Sequence, residues 1–432
     1  MGERVMIVAE VRLWGKTVAA VSIDEDSPYV YFKYDDAFVK SGINLSPIMM
    51  PLSREIYQFK TLDLAAFKGL PGLLSDSLPD SYGDKIINAW LSSQGRSIDS
   101  FNIVERLCYV GKRGMGALEY HPTRHKEFNE VDDLELENLV KLSNEIINAK
   151  ENVVVKREDE LEEIIKVGTS AGGARAKAII AYNEKTSVIK SGQIDAGKGF
   201  TYWLLKLDGV DQKEESSFTR REYAYYLMAI DAKIIMTESR LIKKDDHYHF
   251  MTKRFDRFVN SSGEMEKIHM QTLGALAHVD YNEPGVMSYE RATDIMYMMG
   301  IKLSENKQFF RRMVFNVMAR NQDDHVKNIS FLMNKKGEWT LSPAYDITYS
   351  FNPKGKWTSR HQMTINSKDH DFTFKDMLKC AEKMKIKPED ANAIIHDVRK
   401  SLLQWDKFAE QASLNKKEIA FIKNQFILFN MQ

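Results

Sequence analysis

The segment Asn321-Gln-Asp-Asp-His-Val-Lys-Asn328 constrains this chain more than any other. Seven of its eight residues are polar or charged, and it follows closely on the apolar run Val314 to Ala319, which Arg311, Arg312 and Arg320 flank. So polar a stretch does not continue a buried helix; it leaves the core as a loop. Just beyond it, Ile329 to Met333 and Trp339 to Leu341 read as two strands around the turn Asn334-Lys-Lys-Gly337, and Pro343-Ala-Tyr-Asp346 follows. A loop, a short hairpin and a trailing aspartate thus stand in fixed order.

Length and charge set the frame for that unit. A chain of 432 residues with 43% hydrophobic content has material for two or three lobes, each with its own core. Its 61 basic and 61 acidic residues cancel, which excludes a chain whose main work is coating nucleic acid or anionic membrane by global charge. Two cysteines, Cys108 and Cys380, make no disulfide framework and no zinc set, so two reduced, buried thiols are expected. The start of the chain mixes charge into its apolar residues too early for a signal peptide, and no run approaches the roughly 20 apolar residues of a membrane span. These features lead us to expect a soluble cytoplasmic protein without membrane contact.

Four regions are expected. In residues 1–125, short β-type runs (Val5 to Val11, Thr17 to Ile23, Tyr29 to Tyr34) precede a helical stretch that begins near Leu64. Residues 126–166 form an acidic helical connector; between Lys126 and Glu163, 13 acidic side chains face 5 basic ones, so the remainder of the chain carries +8. Residues 167–257 are β-rich, with strands at Lys177 to Tyr182, Tyr202 to Leu207 and His247 to Phe255, and a helix at Thr219 to Ile230 expected to pack between strands. Residues 258–432 are helical apart from the hairpin. The segment Gly192 to Lys198 fits the Walker A pattern only as far as its lysine: Gly199 stands where the magnesium-binding hydroxyl belongs, and no helix start follows.

The loop and the trailing aspartate carry phosphoryl-transfer chemistry. Such transfer of the kinase type uses an Asp that accepts the proton of the acceptor hydroxyl, an Asn five residues later for one magnesium contact, and a further Asp for the second. Asp323 has Asn328 five residues on, whereas Asp324 has Ile329, so the spacing selects Asp323 as base and Asn328 with Asp346 as metal ligands. Ile347-Thr348 replaces the usual Phe-Gly after that aspartate. His325 and Lys327 inside the loop are counted with the ATP-binding residues, His325 as a histidine that orients the loop rather than as a metal ligand. Gly168 to Lys177 offers glycines and hydroxyls whose backbone can approach phosphates, here Thr169, Ser170, Ala171, Gly172, Gly173 and Ala174, and leads through Lys177 into a strand. Lys206 sits among apolar neighbours in its strand, an expensive place for a cation without an anion such as an ATP phosphate, and Glu222 is a candidate partner for it.

These residues, together with Leu70-Pro-Gly-Leu-Leu-Ser-Asp-Ser-Leu-Pro-Asp80, Gly114 to Leu118 and Arg254-Phe-Asp-Arg257, resemble the HipA toxin kinases of type II toxin–antitoxin systems over nearly the whole chain. The resemblance implies an α+β, protein-kinase-like two-lobed fold with a family-specific β-rich N-terminal subdomain and a helical C-terminal lobe. It implies a Ser/Thr protein kinase that uses ATP and Mg²⁺, phosphorylates a protein of translation such as an aminoacyl-tRNA synthetase, and thereby arrests growth and promotes persistence. By position it places an adenine-binding hinge at Phe250, Met251, Thr252 and Lys253, and an inactivating autophosphorylation at Ser170. A helix-turn-helix antitoxin of the HipB type is the implied partner, and operator DNA is met mainly through it. A small-molecule phosphotransferase on the same fold and an inactive pseudokinase acting as corepressor are the alternatives. Residues 351–369 carry a local net charge of +3, which suits either a solvated loop or contact with DNA phosphate.

Overall fold

Alternation of buried and exposed residues builds the first sheet. In β1 (Met6–Leu13), Ala9, Val11 and Leu13 point inward, and a tight turn in which Trp14 and Gly15 both have positive φ leads directly into β2 (Lys16–Asp24). β3 (Tyr31–Tyr34) and β4 (Leu118–His121) complete an antiparallel sheet in the order β3-β2-β1-β4. A computed structural model describes residues 6–24, 26–97, 100–123, 133–148, 158–168, 175–210 and 217–430. The chain forms two units: residues 1–46, 50–216 and 242–270 make the first, and residues 47–49, 217–241 and 271–432 the second.

In the first unit, short helical turns α1 (Asp36–Val39), α2 (Leu64–Phe67) and α3 (Gly72–Ser75) precede α4 (Ser81–Ser93) and α5 (Ile103–Val110). Within the expected connector lies α6 (Leu136–Asn148), an amphipathic helix that buries Leu136, Leu139, Leu142 and Ile146 at helical spacing. α7 (Glu158–Gly168) runs past the expected end of the connector, and a Cβ added at Gly168 would lie 2.4 Å from Ile86 Cδ1 of α4, so a larger residue there would push that methyl aside. A second sheet contains β5 (Lys177–Tyr182), β6 (Ile189–Ser191), β7 (Thr201–Lys206), β8 (Ser239–Lys244) and β9 (His247–Lys253) in the order β6-β5-β7-β9-β8. One core joins these parts: Ile86 and Trp90 of α4, Leu139 and Leu142 of α6 and Ile164 of α7 pack with Ile180, Trp203, Leu205 and Met251 of the sheet. Strands β10 (Arg257–Val259) and β11 (Met265–Lys267) form a hairpin, and the chain passes to the second unit within β12 (His269–Thr272).

The second unit is mainly helical; the expected hairpin of β13 (Ser330–Met333) and β14 (Trp339–Leu341) is part of a three-stranded sheet in the order β12-β13-β14. Its helices are α8 (Phe218–Asp231), α9 (Leu273–Ala277), α10 (Tyr289–Met298), α11 (Leu303–Met318), α12 (Phe374–Lys383), α13 (Pro388–Leu402), α14 (Trp405–Gln411) and α15 (Lys416–Lys423). α8 corrects one expectation. Instead of lying between strands, it packs mainly on α13 and α14: Tyr225 stacks edge-on to Trp405 and donates to the Ala319 carbonyl at 2.6 Å, and Ser401 donates to the Met228 carbonyl. Local apolar spacing shows which face of a helix is buried, and the covering partners here lie far downstream in sequence, 180 residues on in the case of Tyr225 with Trp405. Cys108 and Cys380 are buried thiols that form no disulfide, and no described helix is long and apolar enough to cross a membrane.

Two buried histidines make the first unit acid-sensitive. Burial lowers His249 to about 4 and His269 to about 3. Both are neutral when folded, whereas in the unfolded chain they take up protons below about 6.5. Their contribution is therefore complete above pH 6.5 and is lost as pH falls toward 4, at about 1.4 kcal/mol per pH unit for each. Urea unfolding at pH 7, 6 and 5 should show this loss, and a His249→Gln, His269→Gln double variant should flatten the profile.

Candidate active site

Helix α11 delivers the polar loop. At its C-terminal end Asn321 turns back, its N–H donating to the Asn316 carbonyl and its Nδ2 to Asn316 Oδ1, both at 2.9 Å. The two neighbouring aspartates of the loop then have opposite surroundings. Asp324 is 2% exposed, and its carboxylate accepts from the Tyr289 hydroxyl at 2.8 Å, the Gln362 N–H at 2.8 Å and His361 Nδ1 at 2.9 Å. Burial would raise its pKa, but the charge and hydrogen bond of His361 and the other two donors hold it below the ordinary carboxylate value. The Asp323 side chain is 45% exposed, and the loop holds this residue through its backbone: its N–H donates to Ser350 Oγ and its carbonyl accepts from Asn328 Nδ2, both at 2.9 Å. With Nδ2 committed in this way, the amide of Asn328 has Oδ1 left to accept.

Asp323, Asn328 and Asp346 line one cavity, with Asn316, Asn321 and Arg312 on its walls. Asp346 is held at φ +54°, a left-handed conformation that aspartate tolerates better than most residues and that recurs where a side chain must be aimed. Arg312 is buried, burial lowers its guanidinium to about 10, and it donates to the Ser342 carbonyl beside the hairpin. His325 Nδ1 accepts from the Lys327 N–H and caps the 3₁₀ turn Val326–Asn328, while its Nε2 stands 3.7 Å from Asp323 Oδ1. The Lys327 ammonium lies 4.2 Å from the Tyr281 ring centroid, and its carbonyl accepts from the Tyr345 hydroxyl. Among the described residues no group of three His, Cys, Asp or Glu could hold a metal alone, so a cation here would take one carboxylate, one amide oxygen and ligand oxygens.

The remaining expected residues lie in the first unit. Lys206 ends β7 half-buried, opposite Lys177 of β5 on one side and Phe250 of β9 on the other. Direct cross-strand partners share a face, so the stems of the two lysines leave the sheet on the same side. Asp80 supplies an anion: its carboxylate accepts from Lys177 Nζ at 2.6 Å and caps α4 through the Gly83 N–H at 2.8 Å. Burial raises the Asp80 carboxyl despite Lys177. Phe250 and Met251 are buried mid-strand in β9, Thr252 and Lys253 are half-buried, and Lys253 lies over Trp203. Thr169, Ser170, Ala171, Gly172, Gly173 and Ala174 lie outside the described residues.

Directly after β9, Arg254-Phe-Asp-Arg257 forms a buried ion cluster. Arg254 grips Asp256 with two hydrogen bonds of 2.8 and 2.7 Å, Arg257 adds a third at 2.8 Å, and the Gly116 N–H donates to the same carboxylate at 2.7 Å. Arg257 also donates to the carbonyls of Gly114 and Gly116. The two guanidiniums and the Gly116 amide hold the Asp256 carboxyl far below its usual range against the opposing effect of burial, which lowers Arg257 to about 9. Thus two sequence-distant motifs, Gly114 to Leu118 and Arg254 to Arg257, form one structural lock.

The HipA-like C-terminal domain matches residues 169–405, and the HipA N-terminal domain matches residues 9–121. The chain belongs to the HipA family. The fold of this HipA-family chain is also that of HipA in the Shewanella oneidensis MR-1 complex of HipA, HipB and operator DNA, with a TM-score of 0.68 at 16% identity over 96% of this chain and 95% of that one. The Helicobacter pylori proinflammatory kinase CtkA aligns over 52% of this chain and 88% of its own, at 11% identity and a TM-score of 0.32. Sequence reading missed several residues that hold the expected ones in place within each unit. Asp80 carries a signal, an Asp just before a helix; Ser350, Tyr289 and His361 carry none, because each reaches the loop from a distant segment.

Proposed function

We propose that this chain is the toxin of a type II toxin–antitoxin system, an ATP- and Mg²⁺-dependent Ser/Thr protein kinase that acts in the cytoplasm on a protein of translation, arresting growth and promoting persistence. The observation that carries this reading is the convergence of Asp323, Asn328 and Asp346 on one cavity, with Asp323 as the half-exposed aspartate of its pair. Asp323 would accept the proton of the substrate hydroxyl. The carboxylate of Asp346 and Oδ1 of Asn328 fit a hard, oxygen-seeking cation, and would hold Mg²⁺, which neutralises charge on the phosphates when bound. Lys206 would contact the ATP phosphates, and the expected phosphate-binding residues Thr169 to Ala174 and Lys177 would share that task. Phe250 to Lys253 would border the adenine, and His325 and Lys327 would shape the loop around the nucleotide.

The HipB partner and operator DNA of the Shewanella complex support a helix-turn-helix antitoxin as the partner here and DNA contact through it. Phosphorylation of Ser170 would add close to two negative charges where ATP phosphates bind and so switch the kinase off. Two assays test the proposal. Induced without an antitoxin, the wild-type chain should arrest growth and the Asp323→Asn variant should not; arrest by that variant would contradict the kinase reading. Ser170→Ala should abolish loop autophosphorylation and prolong transfer to other proteins, and phosphopeptide mapping that finds unchanged loop phosphate would exclude Ser170 as the site.

A further inference from the structure

The half-exposed and the buried aspartate of the loop are joined by more than the peptide bond between them. The Asp323 N–H donates to Ser350 Oγ at 2.9 Å, and the Ser350 hydroxyl donates to Asn321 Oδ1 at 3.3 Å. Asn321 Nδ2 donates to Asn316 Oδ1 at 2.9 Å, Asn316 Nδ2 to the Tyr289 hydroxyl oxygen at 3.1 Å, and that hydroxyl to the Asp324 carboxylate at 2.8 Å. A chain of hydrogen bonds that leaves residue 323 thus returns to residue 324, and the circuit is closed.

Its two ends fix its direction. A backbone N–H only donates and an ionised carboxylate only accepts, so each hydroxyl and amide between them passes its hydrogen the same way. Turning over one asparagine amide would oppose two donors or two acceptors, and turning over both would take the Tyr289 hydrogen away from Asp324. Tyr289, Asn321 and Asp324 are buried, where aligned hydrogen bonds strengthen one another. Asp324→Asn keeps an amide oxygen for Tyr289, so the circuit survives that change.

The circuit gathers distant segments: Tyr289 opens α10, Asn316 lies in α11, and Ser350 comes from beyond the hairpin. Ser350 stands four residues after Asp346, and its own N–H donates to the Arg320 carbonyl at 3.2 Å. One hydroxyl therefore ties the segment of the proposed metal ligand to the backbone of the proposed base. Misplacing reacting groups by about 1 Å costs on the order of 100-fold in rate, so a tie between these two segments bears directly on transfer.

We propose that Ser350 is a positioning residue for phosphoryl transfer: through the circuit it closes with Asn321, Asn316 and Tyr289, it holds Asp323 in place relative to the segment of Asp346. The role rests on the kinase reading, whereas the circuit rests on the hydrogen bonds alone.

The test has one arm that is independent of activity. In the full chain without nucleotide, hydrogen exchange of the Asp323 amide, read by mass spectrometry of the peptide that spans it, should quicken about tenfold in Ser350→Ala. It should also quicken in Tyr289→Phe, which opens the circuit at its far end and keeps the aromatic side chain. In autophosphorylation at varied Mg²⁺-ATP, Ser350→Ala should lower the maximal rate about tenfold and leave the half-saturating ATP concentration unchanged. Ser350→Thr retains the hydroxyl and should restore that rate. Added to Asp323→Asn, Ser350→Ala should bring no further loss, because it acts through a carboxylate that is gone. Exchange unchanged in either Ser350→Ala or Tyr289→Phe overturns the circuit. A wild-type maximal rate in Ser350→Ala, or a further loss on top of Asp323→Asn, overturns the positioning role. Quickened exchange in a chain whose wild type labels no protein overturns the kinase reading and leaves the circuit standing.

Discussion

Asp323→Asn should lower phosphoryl transfer by on the order of 10³-fold while leaving the fold intact. The loop grips residue 323 by its N–H and carbonyl, through Ser350 and Asn328, and neither bond involves the carboxylate. Asparagine keeps the shape and removes the carboxylate proposed to accept the proton. Since the side chain is 45% exposed, the stability change should stay within about 0.5 kcal/mol. Asp324→Asn should behave in the opposite way. It disturbs a buried carboxylate that serves Tyr289, His361 and the Gln362 amide, so stability should fall by about 1–3 kcal/mol while the folded fraction retains most of its turnover. Thermal melts and single-turnover kinetics on both variants separate the roles; comparable melts with the larger kinetic loss in Asp324→Asn would reverse the assignment.

Asp256→Ala should cost about 3–5 kcal/mol, the largest stability loss expected of a single substitution outside the hydrophobic core. The alanine removes the partner of two buried guanidiniums and the acceptor of the Gly116 N–H at once. A domain is stable by only about 5–15 kcal/mol, so the first unit would stand close to unfolding at 37 °C. The pH dependence has a definite sign. The carboxyl is held below its unfolded value, so its contribution is complete above about pH 4 and is lost as pH falls further. Urea unfolding should show a lower midpoint for the variant at pH 7 and a smaller gap from wild type near pH 3. An equal midpoint at pH 7 would mean that the cluster does not lock the unit.

What could be read from the sequence was local. The hairpin follows from its turn residues and flanking apolar runs, and α6 from its spacing of leucines. The five-residue spacing distinguishes Asp323 from Asp324 on paper, and the structure gives the two aspartates different burial, for a reason the spacing does not contain: Tyr289, His361 and Gln362 converge on one of them from 35 or more residues away in the chain. Likewise Asp80 meets Lys177 across 97 residues and Asp256 meets Gly116 across 140. The packing of α8 escaped for the same reason, since a one-dimensional pattern shows that a face is buried and not what buries it.

The most direct measurement is the fate of the labelled γ-phosphate of ATP when the purified chain, Mg²⁺ and a cell lysate are mixed and then separated into protein and small-molecule fractions. The account predicts label on protein, including the chain itself, and none when the chain carries Asp323→Asn. Label in the small-molecule fraction alone, or protein labelling that survives Asp323→Asn, would contradict it.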